Sequence, residues 1–286
     1  MLTGAQGQVG HEIVDLALKC NLKLCPFIHS QLNITDFGQL KQTISTIKPN
    51  YIINAAAYTA VDKAEKESEL AFAVNALGVK YLAKIAKKYN IPLLHISTDY
   101  IFDGQKKMSY IEEDKANPLS VYGHSKLSGE NLLREIWYKH IILRVSWVFG
   151  TYGNNFVKTI IRLSNERTEL RVIADQKGAP TYAGDIALTL LKIIEHLNNG
   201  QFAWGTYQYT GTPSLSWYEF AKKIIEEAGQ HKLRLKKVIP ISAFEYPSVA
   251  YRPPNSELAC DKIAQVFGIR PNTWSVGLKK VVNILL

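Results

Sequence analysis

Short apolar runs alternate with amphipathic stretches through the first half of the chain. Runs of strand length lie at 23–28, 51–54, 93–97 and 141–145. Between them, helical spacing covers 9–19, 36–48, 67–89 and 122–135, with Asp36 placed to cap the second of these. Leu70, Val74, Leu77, Leu82 and Ile85 give the third its apolar stripe. Strands that alternate with helices predict an α/β fold, a doubly wound parallel sheet of Rossmann type covered on both faces.

Beyond about residue 148 the pattern loosens. Residues 155–163, 185–198 and 216–228 read as helices and 205–210 as a short strand, and the end carries Pro240, Pro247, Pro253, Pro254 and Pro271. The expected division is a nucleotide-binding part, 1–148 plus 185–210, and a smaller C-terminal substrate lobe, 149–184 and 211–286. In it, the 185–198 helix and the strand after it rejoin the main sheet. Only three residues precede Gly4. A central strand needs about five, so a few residues of the first strand are expected to be missing upstream.

Composition narrows the classes without choosing one. The 286 residues are 47% hydrophobic and 21% charged, ordinary for a globular protein. No stretch approaches the roughly 20 apolar residues of a membrane span, and the first residues lack the form of a signal peptide. Cys20, Cys25 and Cys260 are too scattered for a disulfide framework or zinc site and read as buried small hydrophobes. A cytoplasmic setting follows. The net charge of +9 is dispersed, with short clusters at Lys87-Lys88, Lys106-Lys107 and 232–237. It reads as a solvated surface, with attraction of an anionic cofactor and substrate second. No motif points to nucleic acid.

Two motifs carry candidate chemistry. Gly4, Gly7 and Gly10 recur every third residue ahead of the first helix. Gly4 allows a tight turn, Gly7 a close backbone approach to a pyrophosphate, and Gly10 close helix packing. The helix N-terminus then faces the anion. The second strand ends in Ile28-His29-Ser30 with no carboxylate to hold an adenosine ribose, which leans toward NADPH over NADH. Tyr122 and Lys126 stand four apart at the start of a helix. Four residues turn about 400° and rise about 6 Å, so the side chains share a face. An ammonium near a phenol lowers its pKa from about 10, and such a phenol can protonate a carbonyl oxygen as hydride arrives. Upstream, the apolar strand ends at Thr98-Asp99. Thr98 is placed to hydrogen-bond the reacting oxygen, and Asp99 to accept from a sugar hydroxyl.

Together these motifs resemble the extended short-chain dehydrogenase/reductases, and within them the dTDP-4-dehydrorhamnose reductases. The narrower resemblance rests on Asn54-Ala55-Ala56-Ala57-Tyr58-Thr59-Ala60-Val61-Asp62, Thr98-Asp99-Tyr100-Ile101-Phe102-Asp103-Gly104, Arg144-Val145-Ser146-Trp147, Asp175-Gln176-Lys177-Gly178-Ala179-Pro180-Thr181, Ser216-Trp217-Tyr218-Glu219-Phe220 and Arg252-Pro253-Pro254-Asn255-Ser256. It runs nearly end to end. It implies reduction of the C4 ketone of dTDP-4-dehydro-L-rhamnose, a step toward lipopolysaccharide O-antigen sugars. The catalytic set it implies is Thr98, Tyr122 and Lys126, with Asp99, Trp147 and Val61 on the substrate. The cofactor set is Gly4, Gly7, Gln8, Val9, Gly10, Asn33, Ala55, Ala56, Tyr58 and Lys126. Asn33 stands where the family often has Asp. Some members dimerise around magnesium, but only Glu12 matches that acidic set, so no metal is predicted and a homodimer is left open. Two other readings share the fold: a reductase or epimerase of another nucleotide sugar, and a non-catalytic NADP-binding regulatory subunit. A dehydratase ranks lower, because Thr98-Asp99 lacks the extra acid it needs.

Overall fold

The computed structural model describes residues 1–230 and 233–286, so Lys232 of the 232–237 cluster lies outside the described residues. Six strands form the main sheet in the order Gly205–Gln208, His140–Val145, Leu93–Thr98, Ile52–Asn54, Leu2–Thr3, Pro26–Phe27. Every pairing is parallel. The chain starts inside the sheet, steps to one edge, then returns past Leu2–Thr3 and builds outward on the other side. The winding thus reverses between Leu2–Thr3 and Ile52–Asn54. Crevices at the carboxyl ends of strands open at such a reversal. The central strand has two residues rather than the expected five. It still pairs on both sides, and the Met1 ammonium donates to the Tyr51 carbonyl at 2.9 Å.

Each sheet face buries its own apolar layer. Helices Gln8–Lys19 and Ala183–Asn198 enclose Ile13, Leu94, Ile186 and Leu190 on one side. Phe37–Ile47, Val79–Tyr89 and Val121–Ile136 enclose Leu40, Leu82, Ile85 and Leu133 on the other. Asp36 caps its helix as expected, accepting from the Gln39 N–H at 2.9 Å. The strand Gly205–Gln208 joins the sheet edge beside His140–Val145.

A third apolar cluster holds Phe149, Val157, Tyr182, Phe220, Trp274 and Leu278. Helices Phe156–Glu166, Trp217–Glu227 and Trp274–Leu285 surround it, with the parallel pair Glu169–Ile173 and Lys237–Ile241. The last helix and this pair fall where loosened periodicity and prolines concealed them. Cys260, Ile263, Phe267 and Ile269 pack into the main-sheet layer instead. That part of 211–286 therefore packs with the main sheet rather than with the lobe.

Two further expectations need correction. The helix expected over 67–89 is broken: Ser68–Phe72 opens into a wide π-helical stretch, Ala73–Gly78, before Val79–Tyr89 resumes. Buried Asn75 lies in the wide turn and exchanges hydrogen bonds with the Tyr58 backbone, 2.9 and 3.0 Å, and with Ser125 Oγ, 3.0 Å. The extra residue rotates the apolar stripe, so Leu82 and Ile85 are buried while Leu70 and Leu77 are 50% and 38% exposed. Among the cysteines only Cys260 is buried; Cys20 is exposed at the end of the first helix and Cys25 is half-buried. No helix among the described residues is long and apolar enough to cross a membrane.

Candidate active site

Backbone geometry after the first strand explains two of the three glycines directly. Gly4 turns at φ +73, and a Cβ there would lie 2.4 Å from the Ala56 nitrogen. A Cβ on Gly10 would lie 2.2 Å from the Gly4 carbonyl oxygen. The loop therefore nests against Ala55-Ala56 and the helix against the loop. Gly7 is the N-cap of Gln8–Lys19, without a side-chain cap or an acidic residue in the first turn. The first N–H groups of that helix are left for an anion, and the dipole favours one.

The loop forms one end of a cleft of about 530 Å³. Gly7, Gln8, Val9 and Ala55 line it there. Thr98, Asp99, Tyr122 and Lys126 line it too, with Val61 and Trp147. Five predicted residues do not reach it. Gly4, Gly10 and Ala56 build the packing behind the loop. Asn33 folds on itself, its Oδ1 accepting from the Thr35 N–H and hydroxyl at 3.0 and 2.9 Å. Tyr58 donates to Glu67 Oε2 at 2.7 Å, a bond that pushes its phenol up to about 12.

The helix Val121–Ile136 carries the tyrosine and lysine. Ser120 caps it, accepting from the Gly123 N–H at 3.2 Å. Glu130, fully buried, ties it to the sheet through a two-pronged contact with Arg144, at 3.1 and 2.9 Å, and also meets Arg134 one turn on along its own helix. Burial pushes the Glu130 carboxyl up, but the two guanidiniums outweigh it and hold it below the usual range. Lys126 Nζ donates to the Ile96 carbonyl at 2.7 Å and lies 3.3 Å from His95 Nε2. Burial lowers Lys126 to about 8 against the opposing pull of Glu130.

The phenol behaves differently from the expectation. Tyr122 is not lowered; burial pushes it up to about 12, the charge of Asp99 adds to this, and the neighbouring Thr98 hydroxyl only partly offsets it. The lysine is committed to Ile96 and His95, so burial decides. Beside it, the Thr98 hydroxyl donates to Asp99 Oδ1 at 3.0 Å and accepts from the Tyr100 N–H at 3.2 Å. Burial raises Asp99 to about 6, against the pull of the nearby Ser256 and Thr98 hydroxyls. Its Oδ2 is buried without a formed hydrogen bond, close to the Ser256 hydroxyl.

Trp147 closes the cleft with a strained backbone at φ +46. Its indole stacks on Trp217, centroids 3.4 Å apart and planes within 7°. Gly178 leaves it room, since a Cβ there would fall 2.4 Å from the indole. Trp217, Ser256 and His95 escaped the sequence reading. Trp217 and Ser256 sit inside quoted segments with no motif of their own, and His95 looks like an interruption in an apolar strand. A histidine in a run of otherwise buried apolar residues was the one available signal. Glu12 accepts from Tyr182 Oη at 3.0 Å, and Lys280 donates to that oxygen at 2.8 Å. No three metal-ligating side chains converge among the described residues.

The family model described as RmlD substrate binding domain matches residues 1–286. A dTDP-4-dehydrorhamnose reductase from Aggregatibacter actinomycetemcomitans is 47% identical over 285 residues, covering 98% of this chain and 97% of its own. The chain belongs to this family. The crystal structure of a dTDP-4-dehydrorhamnose reductase from Clostridium acetobutylicum superposes with a TM-score of 0.93 at 38% identity, covering 99% and 98% of the two chains. The Bacillus anthracis dTDP-4-dehydrorhamnose reductase, solved in complex with NADP, gives 0.92 at 38% over the same shares. The fold and family read from the sequence are both borne out.

Proposed function

We propose that this protein reduces the C4 ketone of dTDP-4-dehydro-L-rhamnose to dTDP-L-rhamnose with NADPH or NADH, in the cytoplasm. One observation carries the reading: Tyr122, Thr98 and Lys126 share a cleft with the Gly7–Val9 helix start. The uncapped N–H groups there and the cramped Gly4 turn suit a dinucleotide pyrophosphate. The bound nicotinamide supplies a hydride.

The chain's own groups handle the rest. At neutral pH a phenol near 12 is fully protonated. Tyr122 is thus loaded as a donor, and passing its proton to a still more basic alkoxide oxygen is downhill. Thr98 turns its hydroxyl from Asp99 to hold that oxygen, the freed Asp99 carboxyl accepts from a sugar hydroxyl, and the Trp147 indole covers an apolar sugar face. Lys126 positions the nicotinamide ribose. The test is to mix the protein with NADPH or NADH and the dTDP-keto-sugar and follow nicotinamide absorbance. Oxidation that needs the sugar is expected. Cofactor binding without oxidation would favour the regulatory reading.

A further inference from the structure

A line of buried polar groups crosses three adjacent strands and ends on Lys126. Asn54 Oδ1 accepts from the Ala56 N–H at 3.2 Å and the Thr3 hydroxyl at 2.7 Å. A backbone N–H can only donate, so the amide orientation is fixed and Asn54 Nδ2 must donate. It faces His95 Nδ1 at 3.0 Å, and this nitrogen is therefore the acceptor. A neutral imidazole with a bare Nδ1 carries its proton on Nε2. Nε2 points at Lys126 Nζ, 3.3 Å away. An ammonium has three donors and no acceptor, and two N–H groups facing each other without water are costly. Moving the ring proton to Nδ1 shifts the same conflict onto Asn54. An imidazolium conflicts at both ends.

One assignment satisfies every partner. Lys126 is an amine whose lone pair accepts from His95 Nε2–H while one of its own N–H bonds goes to the Ile96 carbonyl. We propose that the His95 Nε2–H favours the neutral amine of Lys126 over its ammonium, and that His95 is thereby a positioning residue for that nitrogen's proton. One Lys126 N–H then remains for the cleft. The nitrogen can take up a proton there, at the cost of its bond from His95.

The surrounding charges agree. His95 is fully buried and far below the usual histidine range, first by burial, with His140 on the next strand and Arg134 adding to it. Lys126 is lowered by burial. Glu130 on its own helix pulls the other way, but its carboxylate is already shared between Arg144 and Arg134. Tyr122, one turn earlier on that helix, is a neutral phenol up to about 12.

The proton inventory stands apart from the proposed reaction; only its kinetic consequence rests on it. Histidine nitrogen NMR of the whole protein reads the tautomer without turnover. The His95 signal, identified by its loss in His95→Gln, should show a neutral ring protonated on Nε2 at neutral pH. A ring protonated on Nδ1, or charged at neutral pH, would overturn the proposal. Asn54→Asp supplies a second handle should His95→Gln not fold. Its carboxylate keeps the bonds from Ala56 and Thr3 but draws the ring proton to Nδ1, freeing Nε2 to accept. Both variants give Lys126 an acceptor and so favour the ammonium. The alkaline limb of kcat/KM for the keto-sugar should then move up by about 1 pH unit or more in each. An unmoved limb in folded variants would also overturn the proposal. If the native protein shows no turnover, that counts against the proposed reaction, and the NMR result still decides the tautomer.

Discussion

Two sides of the cleft are built by opposite means. The sheet side, with Thr98, Asp99, Tyr122 and Lys126, is polar and buried, and its titratable groups all lie away from their ordinary values. The lobe side, with Trp147 on Trp217, is apolar and is held by stacking and by space left at Gly178. Burial without water tunes charge on one side, while close contact of rigid rings fixes shape on the other. Chemistry and substrate grip should therefore fail separately when each side is altered.

The largest expected effect is on the sheet side. Tyr122→Phe removes the proton donor and should cut kcat by roughly 10²–10⁴-fold with cofactor affinity little changed; near-normal turnover would overturn the assignment. Next comes the anchor of the tyrosine helix. Arg144→Met leaves Glu130 buried with only Arg134 and should cost about 3 kcal/mol, the low end for breaking a buried pair, as read by urea unfolding. A loss below about 0.5 kcal/mol would show that Arg134 alone suffices.

A smaller effect depends on pH. Asp99 has its folded pKa raised from 3.8 to about 6, so the folded state holds the proton more tightly than the unfolded chain. Stability from this group is complete below pH 3.8 and is lost as pH rises through about 6. Asp99→Asn cannot ionise. Its melting temperature should therefore gain on the native protein between pH 4 and 7, an advantage of order 2 kcal/mol at the upper end. A constant difference across that range would contradict the assignment.

The smallest effect belongs to the lobe side. Trp147→Ala should weaken substrate handling while the fold survives. Trp217→Ala touches no group on the sheet side. It should raise KM for the sugar by roughly up to tenfold, from about 0.5–1.5 kcal/mol of stacking, with kcat nearly kept. Trp217→Phe should recover most of it. A fall in kcat with unchanged KM would mean that the two sides are not separable.

The sequence showed these two sides unequally. Gly7, Thr98, Tyr122 and Lys126 were legible because local spacing sets their roles: a turn, a strand end and one helical face. Trp217 was not, because its partner lies seventy residues earlier and no period links them. The break at Ala73–Gly78 was hidden because Asn75 answers to the Tyr58 backbone rather than to its own helix. The raised Tyr122 could not be foreseen, since spacing gives proximity to Lys126 but not the burial that decides the sign. The C-terminal helices were masked by the prolines around them.

Asp62 lies next to Val61 and meets Arg252 at 2.7 Å, while its other oxygen accepts from the Ala250 N–H at 3.1 Å. This pair clasps one lip of the cleft to a segment almost two hundred residues away in the chain. Both partners are partly in solvent, so dissolved salt loosens the clasp while leaving the buried groups untouched. Ionic strength then sets how tightly this lip is tied down, separately from the chemistry within.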